Sequence, residues 1–119
     1  MDLYINTSDK KIVRIRLKEG RRILAENEFM AEYKQAEKLL PAIEQLLRNI
    51  KANIKNIKRV YVVDKGDSFT ALRIGVVIAN ALAFALRGKV LPFNDKGKNK
   101  EKKFNIVRPI YHKEPNITV

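Results

Sequence analysis

The residues of this chain that could do chemistry most directly lie in segment 64–68, just after a short apolar run. Asp64 and Asp67 could hold divalent metal ions in a nuclease-type centre, which needs several carboxylates converging from strand ends. The first predicted strand ends instead in Asn6, a neutral amide where such a centre would have a further acid. Because two acids after one strand often cap a helix, a metal nuclease stays an alternative only.

The same segment has the outline of a phosphate-binding loop, because a strand, a turn and a helix N-terminus succeed one another over residues 60–75. Free amides at a helix N-terminus attract anions. A Walker loop would also need several glycines and a lysine before Ser or Thr, whereas this loop contains only Gly66, and Asp67 would repel phosphate. A phosphotransferase is therefore a further alternative.

Other reaction chemistry is restricted by composition. The chain has no cysteine and a single histidine, His112. A thiolate nucleophile, a disulfide framework and a metal site built on paired histidines are thus excluded within one chain. We predict no catalytic residue, no metal and no cofactor.

Positive charge is the strongest functional feature of the sequence. Lys and Arg number 25 against 13 Asp and Glu, a formal net charge of +12, which predicts polyanionic partners. The cations expected to contact nucleic-acid phosphates are Arg14, Arg16, Arg21, Arg22, Lys55, Lys58, Arg59, Lys96, Lys98 and Lys100. Aromatic residues do not interleave with them along the sequence, so we expect contacts to the backbone of a folded RNA rather than base stacking.

Hydrophobic patterning predicts the elements that must position these residues. At 119 residues the chain fits one compact domain. We expect a strand over 3–7, a second strand that starts at Val13 and has alternating apolar positions, and a third strand over about 22–27. An amphipathic helix that contains Pro41 is expected over 36–50, followed by a buried strand over 60–63. A second helix is expected after Ser68 or Asp67 as N-cap, and a short strand ends at 91–92.

The second predicted helix is apolar over most of its circumference. Arg73, Asn80 and Arg87 form one narrow polar seam, and the small residues Ala71, Gly75, Ala79 and Ala83 form a stripe suited to close packing on the sheet or on the first helix. Since Arg73 and Asn80 interrupt the apolar run, we interpret it as a buried helix rather than a membrane span. Because so small a domain has few elements that could cover this helix, we expect a partner protein to cover the apolar surface that the sheet and the first helix leave exposed.

Three segments resemble the TsaB (YeaZ) family. Residues 65–75, KGDSFTALRIG, resemble its GPGSFTGLRIG signature; residues 4–8, YINTS, resemble its opening IDTS strand; and residues 35–43, QAEKLLPAI, resemble its HSExLLPLI helix. Their order and spacing agree over about residues 3–91, and residues 108–111 resemble the closing P-x-Y segment of the family.

This resemblance implies an α/β fold: one lobe of the actin-like, sugar-kinase-like ATPase (ribonuclease-H-like) fold, with a mixed sheet flanked by two main helices. It also implies a cytoplasmic, non-catalytic scaffold that binds TsaD and supports threonylcarbamoylation of the adenosine beside the anticodon of tRNA. Implied partners are TsaD, the small ATPase TsaE, tRNA and a second copy of the chain. A stand-alone basic RNA-binding module is the alternative. The expected partner-interface residues are Leu39, Leu40, Ile43, Leu46, Leu47, Ile74, Gly75, Ile78, Ala79 and Leu82.

The sequence departs from the family pattern in length and in the signature. We expect a lobe over about residues 1–91, a lysine-rich loop over 95–103 and a C-terminal segment over 104–119, with the second lobe missing. Lys65-Gly66-Asp67 replaces GPG, and Ala71 replaces a glycine. These changes argue against an ancestral nucleotide-binding role.

Overall fold

In the computed structural model, one mixed sheet carries two helices on one of its faces. The structure describes residues 1–66, 68–93 and 110–111. The elements are β1 (Asp2–Asn6), β2 (Ile12–Glu19), β3 (Arg22–Met30), α1 (Gln35–Asn49), a 3-10 turn (Ile54–Asn56), β4 (Arg59–Val63), β5 (Lys65–Gly66), α2 (Phe69–Leu86), β6 (Lys89–Phe93) and β7 (Ile110–Tyr111).

The large sheet has the strand order β3-β2-β1-β4-β6. β1, β2 and β3 are antiparallel neighbours, whereas β4 and β6 run parallel to β1. Each parallel pair needs a crossover, which α1 and α2 provide. The short strands β5 and β7 form a separate parallel pair. This is the α/β lobe predicted from the sequence.

The core lies between the sheet and the two helices. One face of the sheet is apolar because alternate residues, such as Leu3 and Ile5 of β1 and Val13 of β2, point toward the helices and are fully buried. Leu39 and Ile43 of α1 pack into the same cluster. Fully burying one such side chain contributes about 1.5–3 kcal/mol.

The β1–β2 hairpin is closed by a side chain of its own turn. Asp9 Oδ1 accepts hydrogen bonds from the backbone N–H groups of Lys11 (2.7 Å) and Ile12 (3.2 Å). These bonds, with that of Lys11 the larger effect, hold the pKa of Asp9 below its usual value. The turn therefore fixes where β2 begins and which of its residues face the core.

Several element boundaries differ from the sequence prediction. The helix expected over 36–50 is Gln35–Asn49, with Pro41 inside it, and the second helix follows its predicted N-cap Ser68, whose Oγ accepts from the N–H of Ala71 at 3.3 Å. The strand expected to end near residue 27 continues to Met30, because β2 pairs with it along its whole length. The predictions for Asp67, His112, the 95–103 loop and the rest of the 104–119 segment lie outside the described residues.

Candidate partner and nucleic-acid surfaces

The end of β1 lies beside the loop that leads into α2. Asn6 Oδ1 accepts hydrogen bonds from the backbone N–H (3.0 Å) and the hydroxyl (2.6 Å) of Ser8, so its amide stabilises a turn. A β-carbon at Gly66 would lie 2.8 Å from both Cβ and the carbonyl oxygen of Ser8. The glycine in the loop is therefore explained by close packing of two chain segments.

Asp64 follows β4 and is buried, with a relative exposure of 5%. The residue has an interaction partner, so it is not free. Over residues 1–66, 68–93 and 110–111, no group of three or more His, Asp or Glu side chains is placed to hold a metal ion.

The expected interface residues of α1 are mostly core residues. Leu39 and Ile43 are completely buried, and Leu46 and Leu47 are each 3% exposed. Only Leu40 presents a substantial part of its side chain, 40%, to solvent. The amphipathic pattern marked the buried face correctly, but that face packs on the sheet, so these four side chains do not offer contacts to a partner.

α2 divides the expected interface residues differently. Gly75 and Ala79 lie in the core, where the small-residue stripe packs closely as predicted, while Ile74, Ile78 and Leu82 are partly exposed. The sequence analysis missed Val77 and Phe84, which are 56% and 88% exposed on the outer side of the helix. Their spacing of seven residues, two helical turns, was the available signal.

We call the outer stripe of α2 the set of apolar residues on its exposed side: Ile74, Val77, Ile78, Ala81, Leu82, Phe84 and Ala85. By length and composition the helix could also cross a membrane, with a mean hydropathy of 1.9 and 33% of its residues buried. The core helix of a soluble protein can have the same length and hydropathy. One side of α2 packs on β4 and β6, as a core helix does.

The predicted cationic residues occupy two regions of the sheet. Arg14 and Arg16 of β2 project from the face opposite the helices, and their Nε atoms each lie 2.9 Å from a carboxylate of β3, in Glu28 and Glu26. Exposed cations at the sheet end where β1 and β4 begin are Arg21, Arg22, Lys55, Lys58 and Arg59. Lys96, Lys98 and Lys100 lie outside the described residues.

Aromatic residues that do not interleave with these cations along the sequence lie beside two of them, Arg14 and Arg16, on the folded sheet. Tyr4 of β1 and Tyr61 of β4 stack with ring centres 4.5 Å apart and planes 9° apart, and Phe93 of β6 meets Tyr4 edge-on at 5.2 Å. The Lys18 ammonium lies 5.4 Å from the centre of the Tyr4 ring. Sheet pairing brings together side chains that are distant in sequence, and a scan along the chain does not detect this.

The environment of Tyr4 changes its acidity. Partial burial raises the pKa of Tyr4 above its ordinary value of 10.0 and is the largest cause of the shift. The negative charges of ionised Tyr61 and of Asp2 raise this pKa further. Arg16 and Arg59 act in the opposite direction with smaller effect. The phenol at the centre of this face therefore stays neutral throughout the physiological pH range.

Comparisons with known proteins agree with this architecture. The model of the family described as TsaD, tRNA N6-adenosine threonylcarbamoyltransferase, matches residues 29–96. YeaZ from Pseudomonas aeruginosa has a TM-score of 0.72 and 26% sequence identity, over 79% of this chain and 43% of that one. A structure described as an uncharacterized protein with similarity to peptidase YeaZ from Pseudomonas aeruginosa gives the same values. No curated protein sequence matches the chain. The chain thus spans less than half the length of these solved structures.

Proposed function

We propose a non-catalytic role for this chain, which belongs to the family described as TsaD, tRNA N6-adenosine threonylcarbamoyltransferase. In this role it is a subunit that binds the TsaD enzyme and supports threonylcarbamoylation of tRNA. The YeaZ-like lobe supports the placement in this machinery. The proposal extends to an association with TsaE in the same complex, to contact with tRNA and to action in the cytoplasm.

The observation that carries the proposal is the outer stripe of α2. Val77 and Phe84 leave most of their side chains in solvent, and Ile74, Ile78 and Leu82 continue the apolar surface on one side of them. Exposed apolar surface of this extent is typical of protein–protein contacts, whose centres are apolar and rich in aromatic residues. Arg73 is the single charged residue within α2, so a partner could cover the stripe without burying an unpaired charge.

α1 supports a smaller role in the same interface. Its exposed residues are mainly polar, including Glu37, Glu44 and Arg48, and Leu40 is the large apolar side chain that it exposes. Of the residues expected from the sequence, the proposed interface therefore keeps Leu40, Ile74, Ile78 and Leu82, and it adds Val77 and Phe84 at its centre. In the absence of TsaD, a second copy of the chain is proposed to occupy this surface.

The proposed lack of catalysis has chemical support at the end of β1. Asn6 stands where a catalytic carboxylate would be expected, and its amide oxygen accepts two hydrogen bonds from Ser8 of the same turn. An amide cannot take a proton from a nucleophile as a carboxylate does.

Binding of the TsaD enzyme from the same organism tests the proposal. Size-exclusion chromatography with light scattering compares the wild-type chain with Phe84→Asp and with Tyr33→Asp, each alone and mixed with TsaD. Tyr33 is a matched control, because it is an aromatic residue that is also 88% exposed but lies outside α2. We expect a mixed complex for the wild type and Tyr33→Asp, and its loss for Phe84→Asp.

A mixed complex that Phe84→Asp leaves intact would place TsaD on another surface. A wild-type chain that forms no complex with TsaD would contradict the proposed function itself. The thermal unfolding midpoint of each variant is measured alongside, because a fully exposed position is expected to tolerate Asp without loss of the fold.

A further inference from the structure

The sheet face opposite the helices, here called the aromatic face, has its side chains in three cross-strand rows. The middle row runs Glu26, Arg16, Tyr4, Tyr61 and Leu91, since each residue is paired with the next across β3, β2, β1, β4 and β6. The row toward the start of β1 runs Lys18, Asp2, Arg59 and Lys89. The row toward its end contains Glu28, Arg14 and Asn6.

Aromatic rings form the centre of this face. Tyr61 and Leu91 are each 5% exposed, whereas Tyr4, which stacks on Tyr61, and Phe93 are partly exposed. β2 and β4 flank β1, so Lys18 and Tyr61 approach the Tyr4 ring from opposite sides. Lysine is flexible, so its ammonium can leave the ring and expose a flat apolar surface already backed by a second ring.

An open cavity of about 710 Å³ lies over this surface. Tyr4 and Phe93 line it together with Asn6, Arg14 and Arg16, while Glu26 and Glu28 lie at its β3 side. Cavities of ~300–1,000 Å³ hold organic ligands of the size of a nucleotide or larger. The lining thus combines two aromatic rings, one side-chain amide and two guanidinium groups.

The charges favour an anionic ligand that is also aromatic. Cations on the aromatic face are Arg14, Arg16, Lys18, Arg59 and Lys89, and its acids are Asp2, Glu26 and Glu28. The ion pairs of Arg14 and Arg16 engage Nε, one of the five N–H donors of a guanidinium, so donors remain for phosphate oxygens. The whole chain adds a long-range attraction through its net charge of +12.

We propose that the aromatic face binds a single-stranded polynucleotide, with a base stacked on Tyr4 beside Phe93 and the adjoining phosphates on Arg14, Arg16 and Lys18. Stacking requires a base that is free of its own helix, which excludes a regular duplex as the preferred ligand. The site lies on the opposite side of the sheet from α2, so binding of nucleic acid here does not depend on the proposed contact with TsaD.

Fluorescence anisotropy of the full chain with a labelled single-stranded RNA ten-mer of mixed sequence tests this site. The same sequence as single-stranded DNA and as RNA duplex provides the comparison. We expect both single strands to bind more tightly than the duplex, and Tyr4→Leu to weaken their binding about tenfold or more. Tyr33→Leu, at an exposed tyrosine away from this face, should leave the affinity unchanged.

The arginines give a second readout that does not disturb the half-buried ring. Replacing both Arg14 and Arg16 by Gln should reduce the slope of log affinity against log salt by about 0.7 per lost phosphate contact. Arg48→Gln is the matched control, because Arg48 is also exposed and pairs with a carboxylate, that of Glu44 at 3.7 Å, but lies on α1.

Three results would overturn the proposal. The first is single strands that do not bind the wild-type chain at low salt. The second is a duplex that binds as tightly as the single strands. The third is a salt slope that Arg14→Gln with Arg16→Gln leaves unchanged, or a loss that occurs only on replacing Lys96, Lys98 and Lys100. Each of these outcomes leaves the measured affinity for TsaD unaffected, so a failure of this proposal is distinguished from a failure of the proposed TsaD binding.

Discussion

The Thr7 side chain occupies the space that a β-carbon on residue 75 would fill. A Cβ at Gly75 would overlap Thr7 Oγ1 and lie 3.0 Å from its Cγ2. Thr7 is completely buried, and in the described part of the chain its hydroxyl has no hydrogen-bond partner. The end of β1 and the second turn of α2 are thus in close contact at this point, and Gly75 is required by that contact.

Gly75→Ala is therefore expected to destabilise the protein. In a helix interior, alanine is normally more stabilising than glycine by about 1 kcal/mol. Here the overlap with Thr7 forces a local shift that costs about 1–3 kcal/mol. Urea unfolding followed by circular dichroism measures the difference. Thr7→Ala in the same chain removes Oγ1 and Cγ2 and should recover part of the loss. A Gly75→Ala variant as stable as the parent would contradict the close contact.

Thr7→Val should raise the free energy of unfolding by about 1 kcal/mol. Valine has nearly the same shape but lacks the buried hydroxyl, whose lost hydration is uncompensated in the folded state. Thr7→Ser, which keeps the hydroxyl and loses the methyl group, is the opposing control and should be less stable than the parent. A Thr7→Val variant that is less stable than the parent would contradict this prediction, because it would show that the hydroxyl takes part in a hydrogen bond.

The sequence predicted those features of the fold that depend on local periodicity. The 3.6-residue pattern from Leu39 to Leu47 predicted α1 and its buried face, and Ser68 predicted the start of α2, because helices are specified by residues close together in the chain. The same pattern could not say whether the apolar face packs on the sheet or on a partner. Burial resolved this for Leu39 and Ile43 and shifted the proposed interface to Val77 and Phe84.

The aromatic face could not be predicted in the same way. Tyr4, Tyr61 and Phe93 are neighbours only because β1 lies next to β4 and β4 next to β6 in a fixed register. A shift of one residue in either pairing would place the rings on the other face. Strand order and register are non-local, so a scan for aromatic residues among the basic clusters misses the stack.

Folding stability should fall as pH rises above about 10. The pKa of Tyr4 is raised in the folded state, so as pH rises the unfolded chain loses this proton first. The resulting contribution to folding stability is fully present below the unfolded-state pKa and is lost as the pH rises through the folded-state pKa. Urea unfolding at increasing pH measures the effect, and Tyr4→Phe should show a shallower decline. Titration of tyrosinate absorbance should also lose, in Tyr4→Phe, a component that titrates above the ordinary pKa of tyrosine. A loss of amplitude confined to the ordinary pKa range of tyrosine would contradict the effect of burial on Tyr4.

Replacing Glu26 and Glu28 by Gln should strengthen polynucleotide binding while barely affecting stability. Both ion pairs are exposed, so losing them should cost less than about 1 kcal/mol each. The change removes two negative charges from the β3 side of the cavity and leaves Arg14 and Arg16 wholly available to phosphate.

Affinity for the single-stranded ten-mer should rise, most clearly at low salt, where charge is screened least. Glu44→Gln, which frees Arg48 on the helical side, changes the net charge in the same direction by one unit and should have a smaller effect. Equal gains per charge from β3 and from α1 would show that affinity follows net charge rather than this face.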